Sequence, residues 1–202
     1  MAETDFQYHF IVRHRDYDPS LCWMLPVEIK GLVNFRLLAV WAMNHRIPKT
    51  DSEEFSGQPL QAVDRYQEFL SAGPAVVAGD FNNNVRWDKG KKATNHAHTV
   101  AGLERLGLAS AYHVGRGELH GRESLATLYS GDRKPDGPKY HTDYCFMPME
   151  WCSHLREVDV GTFDAWVGNG LSDHLPLIVD VDVPVQREGK ASKPAKALRT
   201  DL

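Results

Sequence analysis

The chain has 202 residues, of which 42% are hydrophobic, and a formal net charge of −4 at pH 7. This is the composition of an ordinary globular protein with enough apolar material for the core of one domain. The negative charge argues against a broad electrostatic surface for DNA, because tight non-specific binding depends on neutralising many phosphates. A locally basic groove remains compatible with it.

The cysteines and the first residues bear on where the protein works. Cys22, Cys145 and Cys152 cannot all pair within one chain, and none lies in a Cys-x-x-Cys motif. Free thiols in a reducing compartment are the simplest interpretation. The first residues lack the basic and apolar regions of a signal peptide, and no stretch is long enough to span a bilayer. We therefore expect a cytoplasmic protein with no membrane partner.

The first half of the chain predicts a helix followed by a buried strand. Pro59 can open a helix that ends at Gly73-Pro74. Its apolar residues recur at near-helical spacing: Leu60, Val63, Tyr66 and Leu70. The apolar run 75–78 then predicts a short strand buried on both faces. Asp80 and Asn82 of the string Gly79-Asp80-Phe81-Asn82 are therefore expected at the exit of that strand.

The middle of the chain predicts a second helix and a long irregular segment. The helix runs from about Thr94 to Leu106 and stops at Gly107, with Ala97, Val100, Leu103 and Leu106 facing inward. Residues 115–139 are rich in glycine and charge and read as a loop. Its basic residues are either a solvated surface or a grip for an anionic ligand: Arg116, Arg122, Arg133, Lys134 and Lys139.

Two further strings carry polar residues in or beside predicted strands. In 140–146 the period of two places Tyr140, Thr142, Tyr144 and Phe146 on one face and His141, Asp143 and Cys145 on the other. A buried acid needs a partner, and we expect His174 to partner Asp143. Ser172-Asp173-His174 precedes the β-rich run 175–183, in which Pro176 fits only near the start of a strand or at an edge.

These three strings, in this order and at this spacing, resemble the motifs of the endonuclease/exonuclease/phosphatase superfamily. The resemblance covers about residues 23–183, with supporting matches at 35–41 and at Trp87-Asp88. It implies an α/β fold: a DNase I-like sandwich of mixed β-sheets with flanking helices. We expect residues 1–185 to form this domain and residues 186–202 to be a disordered tail.

The resemblance also implies roles for five residues. The position of Asp80 orients or deprotonates the attacking water, and that of Asn82 donates to the phosphate as charge builds. Asp143 holds His174, which contacts phosphate or takes a proton, and Asp173 lies near the metal. The implied cofactor is Mg²⁺ or Mn²⁺, and the implied partner is a phosphoester substrate such as DNA or RNA.

The chain also departs from the family pattern. Members usually begin with a strand that carries an asparagine and a second strand that ends in a glutamate, the principal metal ligand. Neither is present here, and the context of Glu28 does not match that glutamate. Trp41 stands where many relatives have histidine or tyrosine. We therefore expect a domain that is incomplete at its N-terminal side, with exposed sheet surface that favours self-association.

Simpler interpretations of the same residues stay open. Asp80 and Asn82 are also typical turn residues, and Ser172-Asp173 fits a turn that enters a strand. Trp87 either packs or borders a pocket. The remaining histidines are expected at the surface or in hydrogen bonds rather than as ligands: His96, His98, His113 and His120.

Two functions from different classes follow. The first is a metal-dependent phosphoesterase that attacks its substrate with an activated water. The second is a catalytically impaired or inactive fragment of this fold that lacks the metal-ligand glutamate. Zinc hydrolysis by the scattered histidines is disfavoured, because the histidines and cysteines show no regular zinc-ligand spacing.

Overall fold

The structure, a computed structural model, describes residues 17–21, 23–42, 58–90, 95–131 and 133–183. Within these ranges the strands are β1 (Met24–Ile29), β2 (Phe35–Trp41), β3 (Ala75–Asp80), β4 (Leu108–Ser110), β5 (Leu128–Tyr129), β6 (Lys139–Tyr140), β7 (Asp143–Pro148), β8 (Leu155–Val160) and β9 (Leu177–Val181). The α-helices are α1 (Gln58–Arg65), α2 (Gln67–Ser71), α3 (His96–Arg105), α4 (Ala111–Arg116), α5 (Met149–Cys152) and α6 (Phe163–Trp166).

A five-stranded mixed sheet forms the centre of the molecule, in the order β1-β2-β3-β7-β4. Strands β2 and β3 are parallel, and the other neighbours in this sheet are antiparallel. The predicted strand at 75–78 is confirmed as the middle strand, β3, which explains its continuous apolar run. Because β3 extends to Asp80, the first polar motif lies at the carboxyl end of the central strand.

One face of this sheet is covered by α1, α2 and α3. Val63, Val100 and Leu103 are buried there with Val77 of β3. The helix predicted from Pro59 is interrupted at Tyr66, so that α1 and α2 are two short helices. The second predicted helix is confirmed as α3, and Val100, Leu103 and Leu106 pack inward as predicted. Ala97 is exposed instead, and His96 and Thr99 are buried as well.

The opposite face packs against a second, two-stranded sheet made by β8 and β9. Val76 and Met147 from the main sheet share a core with Trp151 of α5 and with Val158 and Val179 of the second sheet. Two sheets with helices outside them make the α/β sandwich expected from the sequence. Pro176 lies just before β9, as expected.

The string Ser172-Asp173-His174 lies at the same end of the molecule as the carboxyl end of β3. The alternation predicted for residues 140–146 is confirmed in part. Alternation is confirmed from Asp143 onward, since Tyr144 and Phe146 are buried while Asp143 and Cys145 are half-buried. It fails before Asp143, because His141 and Thr142 are both buried between the short β6 and β7.

Of the described part of 115–139, only the end of α4, β5 and the first residue of β6 are regular. The predicted tail 186–202 and Cys22 lie outside the described residues.

Candidate active site

The Gly79-Asp80-Phe81-Asn82 string forms a tight, strained exit from β3. Gly79 has a φ of +137°, and a Cβ on it would overlap the carbonyl oxygen of Val40 on β2, so only glycine fits between these strands. Asn82 lies in the left-handed region with a φ of +46°, a conformation that asparagine tolerates better than most residues. This backbone fixes the direction in which Asp80 leaves the sheet.

The polar groups of this string hold one another. The Asn82 backbone N–H donates to Asp80 Oδ1 at 2.7 Å, which is the local turn role also expected for these residue types. The Asn82 side-chain amide donates to Asp80 Oδ2 at 2.7 Å and to the carbonyl oxygen of Ala42 at 2.8 Å. Asn82 therefore positions Asp80 in this conformation.

Asp143 and His174 form the predicted pair. His174 Nδ1 lies 2.9 Å from Asp143 Oδ2. Since an ionised carboxylate only accepts, this contact places a proton on Nδ1 and leaves Nε2 facing the site. Nε2 lies 3.9 Å from Asp80 Oδ2. The three side chains thus make a continuous array, Asp143–His174–Asp80, with each side chain 13–26% exposed.

Thr127 links the two segments that carry Asp143 and His174, and no sequence pattern indicated it. Its buried hydroxyl accepts the backbone N–H groups of Thr142 at 3.0 Å and Asp143 at 3.1 Å. Its carbonyl oxygen accepts the N–H of Leu175 at 2.7 Å. Thr127 therefore fixes the start of β7 relative to the segment that carries His174. A β-bridge between Leu128 and His174 reinforces that link.

Burial and the neighbouring carboxylates shift the pKa values of Asp80 and His174. Burial and the neighbouring charge of Asp143 raise the pKa of Asp80 to about 6, although the hydrogen bond from the Asn82 backbone opposes this. Burial alone would lower the pKa of His174. The hydrogen bond to Asp143 and the nearby carboxylates outweigh burial, so the pKa of His174 is raised overall.

The array fits a hard divalent cation. One ligand atom from each of Asp80, Asp143 and His174 lies within 4.8 Å of the others. Two carboxylates suit Mg²⁺ or Mn²⁺, which prefer oxygen ligands. Among the described residues, this group contains no glutamate.

Asp173 lies next to the array but faces a different partner. Its carboxylate is 3.3 Å from Arg133 Nη2, and both side chains are about half exposed. The basic loop predicted to flank the site therefore reaches it through Arg133. The metal role of Asp173 stays a prediction.

An aromatic pocket of about 150 Å³ lies beside the first motif. Trp87 borders it, with its ring 4.9 Å from that of Tyr140 in a T-shaped arrangement. Arg86 and Lys139 line the same pocket. Trp41, by contrast, is half exposed at the end of β2 and contacts the ring of Trp23.

The expectation for the four histidines is only partly correct. His98 is exposed and His113 is hydrogen-bonded, as expected. His96 is fully buried, and neither of its ring nitrogens has a hydrogen-bond partner among the residues described. His96, His113 and His120 also gather in space, which their separation along the chain did not indicate.

The mixed-sheet sandwich is a fold shared with known nucleases and a phosphatase. A 3′ phosphatase from Neisseria, bound to a product DNA hairpin, is 16% identical, with a TM-score of 0.59 over 89% of this chain and 71% of that one. A 3′-5′ exonuclease from Neisseria meningitidis is 15% identical, with a TM-score of 0.60 over 89% and 72%. An AP endonuclease from Archaeoglobus fulgidus is 15% identical, with a TM-score of 0.50 over 89% and 71%.

The chain therefore has the same fold as these proteins, the DNase I-like fold that the three motifs indicated. No protein-family model and no curated protein matches the sequence. In the parts of the chain that the structure describes, every helix is too short or too polar to cross a bilayer.

Proposed function

We propose that this protein is a metal-dependent phosphoesterase that cleaves a phosphodiester with an activated water. The observation that carries the proposal is the Asp143–His174–Asp80 array, with Nε2 of the imidazole 3.9 Å from the second carboxylate. A water or phosphate oxygen at the rim of the sheet could therefore contact both the Asp80 carboxylate and the His174 imidazole. Mg²⁺ or Mn²⁺ would be held beside the array, with Asp173 as the expected ligand, and would neutralise charge on the phosphate.

In this proposal Asp80 takes the proton of the water. With a pKa of about 6, its carboxylate is ionised at neutral pH and is more basic than an ordinary aspartate. The oxygen of the water attacks phosphorus, the bond from phosphorus to the leaving oxygen breaks, and the leaving oxygen takes a proton from solvent. Asn82 holds Asp80 in place, and its role as a phosphate donor requires it to release one of its two present acceptors.

His174 acts on the phosphate in the same proposal. Asp143 fixes the imidazole through Nδ1, so that Nε2 points toward the reacting group. The raised pKa of His174 favours the protonated ring, which can donate to a phosphate oxygen as negative charge develops. Asp143 is then a positioning residue for His174.

A nucleic-acid strand is the substrate class that the surroundings favour. Trp87 and Tyr140 offer rings on which a base can stack, and Arg86 and Lys139 supply local positive charge in a chain that is acidic as a whole. Arg133 adds a cation at the site itself. The described cysteines, Cys145 and Cys152, are free thiols, which supports a cytoplasmic location.

The second candidate is a protein that keeps the fold but holds the metal too weakly to work. It is favoured by the absence of a glutamate from the ligand group among the described residues. In that case the array would be folded as described here and would bind Mg²⁺ only at concentrations far above those in cells.

Hydrolysis of bis(p-nitrophenyl) phosphate and of a 3′-phosphorylated DNA hairpin, with and without Mg²⁺ or Mn²⁺, tests the proposal. We expect metal-dependent turnover that Asp80→Asn and His174→Ala each reduce by about 100-fold or more. His154→Ala, a change at an exposed histidine, is the matched control and should leave turnover unchanged. Folded wild-type protein that is no faster than these variants would reject the proposal in favour of the impaired fragment.

A further inference from the structure

A second group of ligand-type side chains surrounds the ring of Tyr144. Its members come from separate parts of the chain: His96 at the start of α3, His113 in α4, His120 and Glu123 after α4, and His141 before β7. The rings of His113 and His120 stack with centroids 3.5 Å apart. Because successive strand residues point to opposite faces, this group lies on the other side of β7 from Asp143.

Glu123 is the anion at the centre of this group. Its side chain is only 2% exposed, and Oε1 lies 3.1 Å from His113 Nε2. Oε1 also accepts the N–H of Gly121 at 2.8 Å, and Oε2 accepts from Asn84 at 3.2 Å. Burial would raise the pKa of Glu123, but its hydrogen bonds lower it to about 2. The carboxylate is therefore buried and ionised.

Several imidazole nitrogens beside this carboxylate are buried without a partner. In the described part of the chain these are both ring nitrogens of His96, Nδ1 of His120 and Nε2 of His141. His141 is the most informative, because its Nδ1 lies 2.8 Å from the carbonyl oxygen of Leu125. A carbonyl only accepts, so Nδ1 carries the proton and Nε2 presents a buried lone pair. Metal-binding histidines are commonly oriented in this way.

Burial disfavours the charged form of three of these histidines. Burial lowers the pKa of His96 to about 3 and that of His120 to about 4, and it lowers the pKa of His141 as well. Neutral imidazoles are ligands, whereas imidazolium rings are not.

We propose that His113, His120 and Glu123 form a second metal centre, specific for Zn²⁺, with His141 as the side chain best placed to complete it. One ligand atom from each of the first three residues lies within 4.8 Å of the others. Ligand bonds of about 2.0–2.2 Å would require these atoms to approach by about 1 Å and the stacked rings of His113 and His120 to turn toward the ion. Ser110 Oγ, 2.7 Å from His113 Nδ1, orients the first ligand from outside.

The donor set selects the ion. Three nitrogens and one carboxylate oxygen suit Zn²⁺ and not Mg²⁺, which prefers oxygen ligands and retains waters. The aromatic pocket beside Trp87 also touches Glu123 and His141, which gives an ion a route from solvent. The ligands come from α4, the following loop and the segment before β7. The ion would therefore hold in place the segment that leads into the Asp143–His174 array.

Metal analysis of the full-length protein, purified without chelators, tests the proposal. We expect about one Zn²⁺ per chain that withstands dialysis against Mg²⁺. After chelation, Co²⁺ should give the visible absorption of a tetrahedral site, and Zn²⁺ at 100 times its Kd should raise Tm by about 5–10 °C. A protein that retains no Zn²⁺, gives no Co²⁺ absorption and shows no Tm shift would overturn the proposal.

Variants assign the ion to this site and not to the catalytic array. His120→Gln changes a half-buried ligand and should lower Zn²⁺ affinity at least 10-fold and alter the Co²⁺ spectrum. His98→Gln, at an exposed histidine on the helix that carries His96, is the matched control and should change neither. Zn²⁺ binding that survives His120→Gln but is lost in Asp80→Asn would place the ion at the catalytic array and refute a second centre.

Discussion

Replacing Asp143 by asparagine removes one charge from the array and almost no volume. The side-chain oxygen of asparagine can still accept from His174 Nδ1, so the change isolates the charge. In the wild type, a hydrogen bond to a charged group contributes about 1.5–3 kcal/mol. Because these side chains are 18% and 26% exposed, we take the lower end, about 1.5 kcal/mol.

The pH dependence gives this prediction its sign. The pKa of His174 is raised on folding, so its pair with Asp143 stabilises the protein below the unfolded pKa of histidine, about 6.5. That stabilisation is lost as pH rises through the pKa of the folded protein. The pKa of Asp80 is also raised, so ionisation of this carboxylate destabilises the folded protein. The destabilisation is absent below about pH 4 and complete above about pH 6. Asp143→Asn relieves part of it.

The variant should therefore lose about 1.5 kcal/mol of unfolding free energy near pH 5.5 and less than about 0.5 kcal/mol near pH 8. Urea unfolding in the presence of EDTA measures both values, with Asp136→Asn, at an exposed position, as control. Carboxyl and imidazole NMR titrations should show the pKa of His174 lowered and that of Asp80 lowered by about 1 unit or less, since burial is the larger cause of its shift. Equal losses at both pH values, with the pKa of His174 unchanged, would refute the charge pairing.

Three substitutions and one measurement on the wild-type protein test other features of the structure. Gly79→Ala should cost more than about 3 kcal/mol by calorimetry, because its Cβ meets the Val40 carbonyl, whereas Gly107→Ala, with positive φ but open space, should cost about 1–2 kcal/mol. Thr127→Val leaves two backbone N–H groups without their acceptor and should cost about 2–4 kcal/mol in urea unfolding, while Thr127→Ser stays within about 1 kcal/mol of wild type. Arg133→Gln should raise KM several-fold with under about 1 kcal/mol lost in stability, so an unchanged KM would remove this cation from the substrate site. Light scattering should show self-association through exposed sheet surface, and a monomer at all concentrations would contradict it.

Local patterns in the sequence predicted the elements that depend on local chemistry. The apolar run at 75–78 and its polar exit are confirmed because a buried central strand has a distinctive composition. The predicted inward face of α3 was correct at Val100, Leu103 and Leu106 but wrong at Ala97, and it omitted His96 and Thr99. His96 and Thr99 are buried because α3 packs beside the ring of Tyr144, and no property of residues 94–106 encodes that neighbour.

The links between distant segments were not predictable from spacing. Thr127 is an unremarkable residue in a glycine-rich loop, yet its hydroxyl and carbonyl join β7 to the segment before β9. Of the zinc ligands proposed here, His113 lies on α4, His120 and Glu123 lie in the loop that follows it, and His141 comes from the distant segment before β7. Regular ligand spacing is expected only where one hairpin or helix supplies several ligands. A search for such spacing therefore misses a centre that tertiary packing assembles.

Strand β7 connects the two proposed sites through the alternation of its side chains. Asp143 points to the catalytic array, and the next residue, Tyr144, points to the histidine group, where its hydroxyl lies 3.0 Å from Asn84 Nδ2. Asn84 in turn contacts Glu123 and follows the motif that carries Asp80 by two residues. An ion held by Glu123 would thus restrain the end of the first motif and the start of β7 together. The positions of Asp80 and Asp143 relative to each other depend on these same two segments, so occupation of the second site would order the first without contributing a ligand to it.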